Sequence, residues 1–547
     1  MQPGTNTIES FKALKGGDGL RIREDLPRLI REGWKSMSRA DKDLLKWVGV
    51  FFRNPTPGRF MMRIRMPNGF AVSGQLRAIA ELSRRLGNSI LDITTRQQVE
   101  LRGFTIESVP EIWEKLRGVD LHSLQTGMDN VRNINGCPLA GLTPGELFDA
   151  SPVLLELDRI LVGKDGNPEF TNLPRKFNVT ITGCLENCTH SESQDIALIP
   201  AQKGGRAGFN VLAGGKMGSG GFTVATPLGV FVEPGEAARV CAELIRIYRD
   251  HGPRDARSKC RLAFLLEQWG ATRLRAELEY RLKRSLESAG EDVRRAGHSD
   301  HLGIIRQKQA GLVAVGLCVP TGRLDADQMS ELARLAEAYG DGQIRFTTGQ
   351  NAIIPNIPAH RTAALLREPL LEQFSPHPSP FFRGMVACTG TDFCNLAQIE
   401  TKQKAVELSR ALAERLGNDV APLTIHWSGC PAGCGNHQAA DIGLRGMKIN
   451  AGGKTIDAVA IYTGGRTGPE AAAGEQILDA APLDASLPDT IAAIIRQAGL
   501  ARPLKQKAAP RKVALAPAAS QFVPLQSIGS RPGAEARTAP AGLSRQV

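Results

Sequence analysis

Residues 178–188 read NVTITGCLENC and residues 424–434 read TIHWSGCPAGC. Each is a short strand-like apolar run that ends in Gly-Cys and closes on a second cysteine. Asp195-Ile196 and Asp441-Ile442 follow at the same offset of 246. Earlier segments repeat as well. MMRIRM at 61–66 alternates apolar and basic residues as a half-buried strand would, Ser73 is expected to cap a helix carrying Leu76, Ile79, Ala80 and Leu86, and ILDITT leads into Arg96. The same order returns as GLVAVGLCV, a helix opening near Asp325 and stopping at Gly340, and QIRFTTGQ, so that Thr94, Thr95 and Gln97 fall on Thr347, Thr348 and Gln350 at an offset of 253. Self-similarity at this period means two copies of one large unit rather than a solenoid.

The expected order is a helical N-terminal arm at 1–45, a ferredoxin-like half at 46–125, an α/β lobe at 126–298, a second half at 299–372 and a second lobe at 373–500. The two strand-helix-strand halves are expected to join into one ferredoxin-like sheet, with the lobes facing each other across a cleft. Residues 501–547 carry eight basic side chains against one acid, Glu535, together with six Pro and eleven Ala. Such a segment lacks the apolar surface to order and is expected to be a basic, disordered tail.

The second lobe holds Cys388-x5-Cys394 and, after thirty-five intervening residues, Cys430-x3-Cys434. Four thiols in two close pairs suit an iron–sulfur cube, because each short loop offers two sulfurs to one small object. Gly390, Gly429, Gly433 and Gly435 permit close approach of the backbone, and Pro431 stiffens the second loop. Zinc sites more often use two to four intervening residues in both pairs, so the gap of five favours iron. The first lobe repeats only part of this set. Cys137, Cys184 and Cys188 match Cys388, Cys430 and Cys434, but Thr143 stands where Cys394 would, and the three are read as buried relics. Cys241, Cys260 and Cys318 are read as core residues.

ACTGTDFCNLAQIETK at 387–402 with HWSGCPAGCGNHQAADIG at 426–443 resembles the signature of the nitrite and sulfite reductases that couple siroheme to a 4Fe-4S cluster. The resemblance runs from about residue 45 to about residue 500. It implies an α/β (α+β), internally duplicated nitrite/sulfite reductase fold, with two ferredoxin-like halves and two lobes around the cofactors. It further implies that Cys388, Cys394, Cys430 and Cys434 hold the cluster and that Cys434 bridges it to the siroheme iron. Arg96 in TTRQ, Arg132 in NVRN and Lys176 in LPRKFN correspond to the family's anion pocket, and Arg175 to a contact for a siroheme carboxylate. Asn178 matches the nitrite-reducing version of the motif, whereas the sulfite version has a second lysine there. A neutral amide suits the less charged anion.

The expected activity is the assimilatory six-electron reduction of nitrite to ammonium, with ferredoxin or a similar small acidic protein as electron donor. The alternatives are sulfite reduction with the same cofactors, the related cobalamin-pathway precorrin-3B synthase, and a non-enzymatic iron–sulfur protein. The Gly-rich stretch at 213–221 fits neither GxxxxGK[ST] nor GxGxxG and is expected to line the cofactor. No nucleic-acid motif accompanies the net charge of +12. No apolar run reaches the roughly 20 residues a membrane span needs, and the N-terminus lacks a signal-peptide order. A cytoplasmic monomer is therefore expected. His426 and His437, which flank the second cysteine pair, are read as structural.

Overall fold

The computed structural model describes residues 6–218, 221–295 and 299–503. The chain divides into units spanning 1–504 and 505–547. The tail therefore lies outside the described residues, except at its first three positions.

Two five-stranded sheets form where one was expected. The first runs Val50–Phe52, Phe60–Ile64, Val99–Phe104, Ile90–Ile93 and then Arg323–Asp325. The second runs Gly303–Arg306, Leu312–Leu317, Ala352–Pro358, Gln343–Phe346 and then Phe70–Val72. Each half thus lends its short strand to the other: Arg323 pairs with Asp92, and Val72 with Gln343. The reason lies in the connection. Each donated strand runs directly into a helix, Ser73–Arg85 or Ala326–Tyr339, and these two helices pack on each other. Leu76, Ile79, Met329 and Leu332 are buried, and Arg84–Asp327 (2.5 Å) and Arg77–Glu337 pair at the surface.

Asp325 caps its helix through the amides of Asp327 and Gln328, and that helix stops at Gly340, both as expected. Ser73 does not cap. It is the first helical residue, and its amide donates to the Gly342 carbonyl of the other half at 2.8 Å. The 61–66 stretch also departs from its alternating pattern. Met61, Met62 and Ile64 are buried, but so is Arg65, whose Nε donates to Asp158 at 2.7 Å. Both faces of this strand are covered, so its cations meet partners inside the protein instead of water.

In the first lobe, Val179–Ile181 pairs in parallel with Ile196–Lys203, which continues antiparallel through Arg206–Ala213 and Thr226–Val232. Helices Ser151–Leu161, Pro234–His251 and Leu262–Leu282 belong to this lobe. In the second, Gly384–Ala387 and Thr424–Ser428 run parallel and lead into Ile442–Ala451, Lys454–Thr463 and Glu475–Pro482. Helices Lys402–Leu416 and Leu487–Gln497 pack beside this sheet. The halves and the first lobe share one continuous core. The second lobe has its own, built on Ile425, Trp427, Leu408, Leu412, Ile461 and Ile491. Cys241, Cys260 and Cys318 are buried. Among the described residues no helix is long and apolar enough to cross a membrane.

Three parts of the chain meet at Asp92. Its carboxylate accepts from Arg102 Nε at 2.7 Å and from Arg323 Nε at 3.0 Å, and Lys402 Nζ lies 3.4 Å away. These cations hold the Asp92 carboxyl far below the usual carboxylate range despite its burial. Asp92→Asn removes one partner from a buried pair and is expected to destabilise the fold by about 3–5 kcal/mol, read as a lower unfolding midpoint. Because the folded pKa is depressed, this stabilisation is present above the unfolded value of about 3.9 and is lost only as pH falls below it. Acid titration of the unfolding midpoint of wild type against the variant measures it.

Candidate functional site

The two cysteine loops leave the same ends of adjacent parallel strands. Ala387 pairs with Trp427, the amide of Cys388 donates to the Trp427 carbonyl at 3.0 Å, and Cys430 follows Ser428 by two residues. Loops at the carboxyl ends of neighbouring parallel strands converge on one crevice. All four cysteines, Cys388, Cys394, Cys430 and Cys434, line one cavity of about 140 Å³. The Gly429 amide donates to Cys388 Sγ at 3.1 Å and the Leu396 amide to Cys394 Sγ at 3.4 Å, an arrangement that favours thiolates. Burial acts the other way, pushing Cys388 up to about 11 and Cys430 upward. Bound cationic metal resolves the conflict by replacing the thiol protons.

Two glycines fix the approach. Gly390 has φ +70°, and a Cβ there would lie 2.8 Å from the Thr401 amide nitrogen. Gly433 has φ +65°, and its Cβ would lie 2.5 Å from Gly218 Cα. The first lobe's Gly-rich stretch therefore touches the second cysteine loop, and the Gly218 amide donates to Gln438 at 3.0 Å. Residues 219 and 220 of that stretch lie outside the described residues. Residues that donate to the Asp92 carboxylate also brace the first loop. Arg102 donates to Thr389 Oγ1 at 3.1 Å, Arg323 to Asp392 at 2.9 Å, and both guanidinium groups lie over the ring of Phe393.

Cys434 is exposed, whereas the other nine cysteines are buried or half-buried. It forms a wall of the four-cysteine cavity and also of an adjoining cavity of about 40 Å³ lined by Arg96, Lys176, Asn178, Thr95, Asn135 and Met217 among others. Arg96 Nε donates to Asn178 Oδ1 at 3.1 Å, so the amide and the guanidinium are set together. The Asn178 amide in turn donates to Asp195 at 2.7 Å, a carboxylate held by Arg261 at 2.7 and 2.8 Å. Asn133 fixes the other side by donating to the Arg96 carbonyl at 2.8 Å.

Four cations gather here without carboxylates. Among the described residues, none of Arg96, Arg132, Arg175 and Lys176 forms an ion pair, and Lys176 makes no hydrogen bond. Burial, first, holds Arg96 down to about 10 and Lys176 well below its usual value; Arg96 and Arg261 add to the effect on Lys176, and the Cys434 sulfur opposes it at both residues. Arg132 and Arg175 do not line the small cavity. The Arg132 guanidinium donates to the carbonyls of Thr126 and Met128, and both residues are pushed down chiefly by burial. A concentration of unpaired cations in a desolvated recess is a binding site for an anion.

Pattern reading missed several lining residues. Arg53 and Arg63 border the four-cysteine cavity, the second from a strand whose alternation placed it in solvent. Asn135 carried no signal, whereas Met217 lies in the Gly-rich stretch expected to line the cofactor. His426 and His437 are hydrogen-bonded, to the Asn436 carbonyl and to Ser428 Oγ, and burial holds His437 down to about 4. A larger cavity of about 400 Å³, lined by Cys188, His301, Thr348, Arg383 and Arg466 among others, contains none of the candidate residues.

The nitrite and sulphite reductase 4Fe-4S domain profile matches residues 127–286 and 379–497, and the nitrite/sulfite reductase ferredoxin-like half-domain profile matches 53–119 and 305–371. The chain belongs to the nitrite and sulfite reductase family. All four cysteines of the cavity fall within the second stretch of the 4Fe-4S match. The chain is 43% identical to the ferredoxin–nitrite reductase of Synechococcus elongatus, over 89% of this chain and 96% of that one. It is 42% identical to the chloroplastic ferredoxin–nitrite reductase of Arabidopsis thaliana, over 87% and 83%. The solved Mycobacterium tuberculosis NirA protein superposes with a TM-score of 0.84 at 30% identity, over 93% of this chain and 97% of that one.

The unpaired cations cost stability when no anion is bound. Lys176→Met is expected to raise the melting temperature of anion-free protein, by the equivalent of about 0.5–2 kcal/mol. The folded lysine has a lowered pKa, so the penalty it removes is present at neutral pH and fades as pH rises toward the unfolded value of about 10.4. Thermal unfolding at pH 7 and pH 10 checks both statements.

Proposed function

We propose that this chain reduces nitrite to ammonium, consuming six electrons and eight protons and releasing two waters, with ferredoxin as the donor. The observation that carries the reading is the position of Cys434, a shared wall between a four-cysteine cavity and a recess of unpaired cations. Nitrite as substrate and ferredoxin as donor are supported by what the relatives are named for. The neutral Asn178, hydrogen-bonded to Arg96, favours a singly charged anion over the more highly charged sulfite.

Siroheme is proposed as the group between the two cavities. The donor set fits it. Cys434 presents an exposed sulfur, and Arg175 and Arg132 are cations without carboxylate partners, as a polycarboxylate macrocycle requires. When bound, siroheme supplies the iron at which nitrite is reduced. Cys388, Cys394, Cys430 and Cys434 would hold the 4Fe-4S cluster, and Cys434, which also walls the cationic recess, would be the residue nearest siroheme.

The protein residues do the rest. Arg96 and Lys176 neutralise the anion and polarise its N–O bonds in a site that excludes water, where such contacts are worth several kcal/mol of barrier. The lowered pKa of Lys176 brings its ammonium nearer to neutrality and makes it the better proton donor as each oxygen leaves as water. Asn178 orients Arg96, and Asp195 orients Asn178 through its backbone. Both cavities are built within one chain, so the proposal requires no second copy and is consistent with a monomer.

Anaerobic turnover with a reduced viologen dye, comparing nitrite and sulfite on one preparation, tests the reading. Preference for nitrite with ammonium as product is expected, and preference for sulfite would overturn the substrate. Lys176→Met is expected to lower kcat by about 10²–10³-fold. Asn178→Lys is expected to shift preference toward sulfite. An unchanged ratio would refute the role given to the amide.

A further inference from the structure

The first lobe holds a second set of thiols at the positions that mirror the four-cysteine cavity. Cys137, Cys184 and Cys188 correspond to Cys388, Cys430 and Cys434, with Thr143 where Cys394 would be. As survivors of a lost cluster they would have no reason to stay convergent. Yet the sulfurs of Cys137 and Cys188 and a ring nitrogen of His301 all lie within 4.8 Å of one another. Cys184 packs into the same small cluster as Cys137 and Cys188. All four side chains are buried, at 1%, 3%, 6% and 5% exposure for Cys137, Cys184, Cys188 and His301.

His301 supplies the second, independent observation. Its Nε2 is buried without a hydrogen-bond partner, a state that costs about 1–3 kcal/mol when nothing compensates it. Leu139, Leu142, Ala314 and Ile353 pack against the three thiols, and an imidazole beside thiols is the composition of a ligand set. The residues are held in place by their backbones. Thr348 Oγ1 donates to the Cys188 carbonyl at 2.9 Å, Asn68 Nδ2 to the Cys137 carbonyl at 3.1 Å, the Cys184 amide to Thr182 Oγ1 at 3.1 Å, and the His301 amide to Ser299 Oγ at 3.1 Å. The Thr348 contact mirrors that of Thr95 with the Cys434 carbonyl.

We propose that Cys137, Cys184, Cys188 and His301 bind one zinc ion. Each cysteine of a cube ligates a different iron, which spreads the sulfurs apart, whereas the Cys137 and Cys188 sulfurs and a His301 ring nitrogen lie close enough to share one ion, with Cys184 packed beside the two cysteines. A tetrahedral ion with Zn–S near 2.3 Å and Zn–N near 2.0–2.1 Å sets its ligand atoms about 3.5–4 Å from one another. Three thiolates and one imidazole form a closed set that leaves no open position, the structural rather than the catalytic kind of zinc site. Binding expels three thiol protons, satisfies His301 and ties the residues before Gly303–Arg306 to the first lobe. The inference stands apart from the proposed reaction and does not depend on it.

Full-length holoprotein grown in zinc-containing medium tests it through metal content and zinc K-edge absorption fine structure, which siroheme and cluster iron do not contribute to. The expected result is about one zinc per chain, with three sulfurs at about 2.3 Å and one nitrogen at about 2.0–2.1 Å. Protein without zinc, zinc held only by oxygen and nitrogen, or iron in these thiols would overturn the proposal. Because Cys184→Ser could fail to fold, His301→Gln serves as the variant. It is expected to weaken zinc retention against a chelator by about 10–100-fold, with iron content unchanged. Retention equal to wild type would exclude His301 as a ligand.

Discussion

The buried carboxylate of Asp92 is the contact on which the site depends. It sits on Ile90–Ile93 of the first half, accepts from Arg323 on the strand lent by the second half, and faces Lys402 at the start of the helix that follows the first cysteine loop. A charge pair buried to this degree stabilises only if every partner is present. The halves therefore cannot separate, nor the second lobe shift, without stranding a charge. Arg102 and Arg323 carry the constraint onward, since the same guanidinium groups that bind Asp92 also pack against Phe393 beside Cys394. The cysteine loop is thereby held by residues from both halves.

The mirrored junction is built differently. Position 345 is the counterpart of Asp92 and position 70 that of Arg323, and there Arg345 lies over the ring of Phe70 at 3.7 Å. An ion pair on one side and a cation–π contact on the other keep the same backbone exchange with different chemistry. The cysteine sets diverge in the same way: four thiols line a cavity in the second lobe, while in the first two of the three thiols lie close to a histidine. Duplication preserved the backbone frame and released the side chains, which is how one fold keeps a single reactive centre.

Around Cys434 the balance reverses. Elsewhere among the described residues several buried cations have carboxylate partners, as Arg65 with Asp158 and Arg261 with Asp195. Arg96, Arg132, Arg175 and Lys176 are left without carboxylates. Local charge conflict of this kind destabilises the empty protein and is retained where an anion resolves it. The orientation of Arg96 by Asn178, and of Asn178 by the Asp195–Arg261 pair, means that the geometry of the recess is fixed before any anion arrives.

The amino-acid sequence alone determined the duplication, both helices of the halves and the paired cysteines, because each of these is a local pattern of spacing, whereas the cationic residues followed only from the family resemblance. It did not determine that the halves exchange strands, since strand partners are chosen by packing between segments 231 and 271 residues apart. It misread the 61–66 strand, because alternation records which residues are apolar and not whether the polar face is also covered. Arg53, Arg63 and Asn135 reach the site through tertiary packing and leave no local mark. His301 is the clearest case: 113 residues after Cys188 and outside any motif, it meets the thiols of Cys137 and Cys188 only because the fold returns the chain to the first lobe.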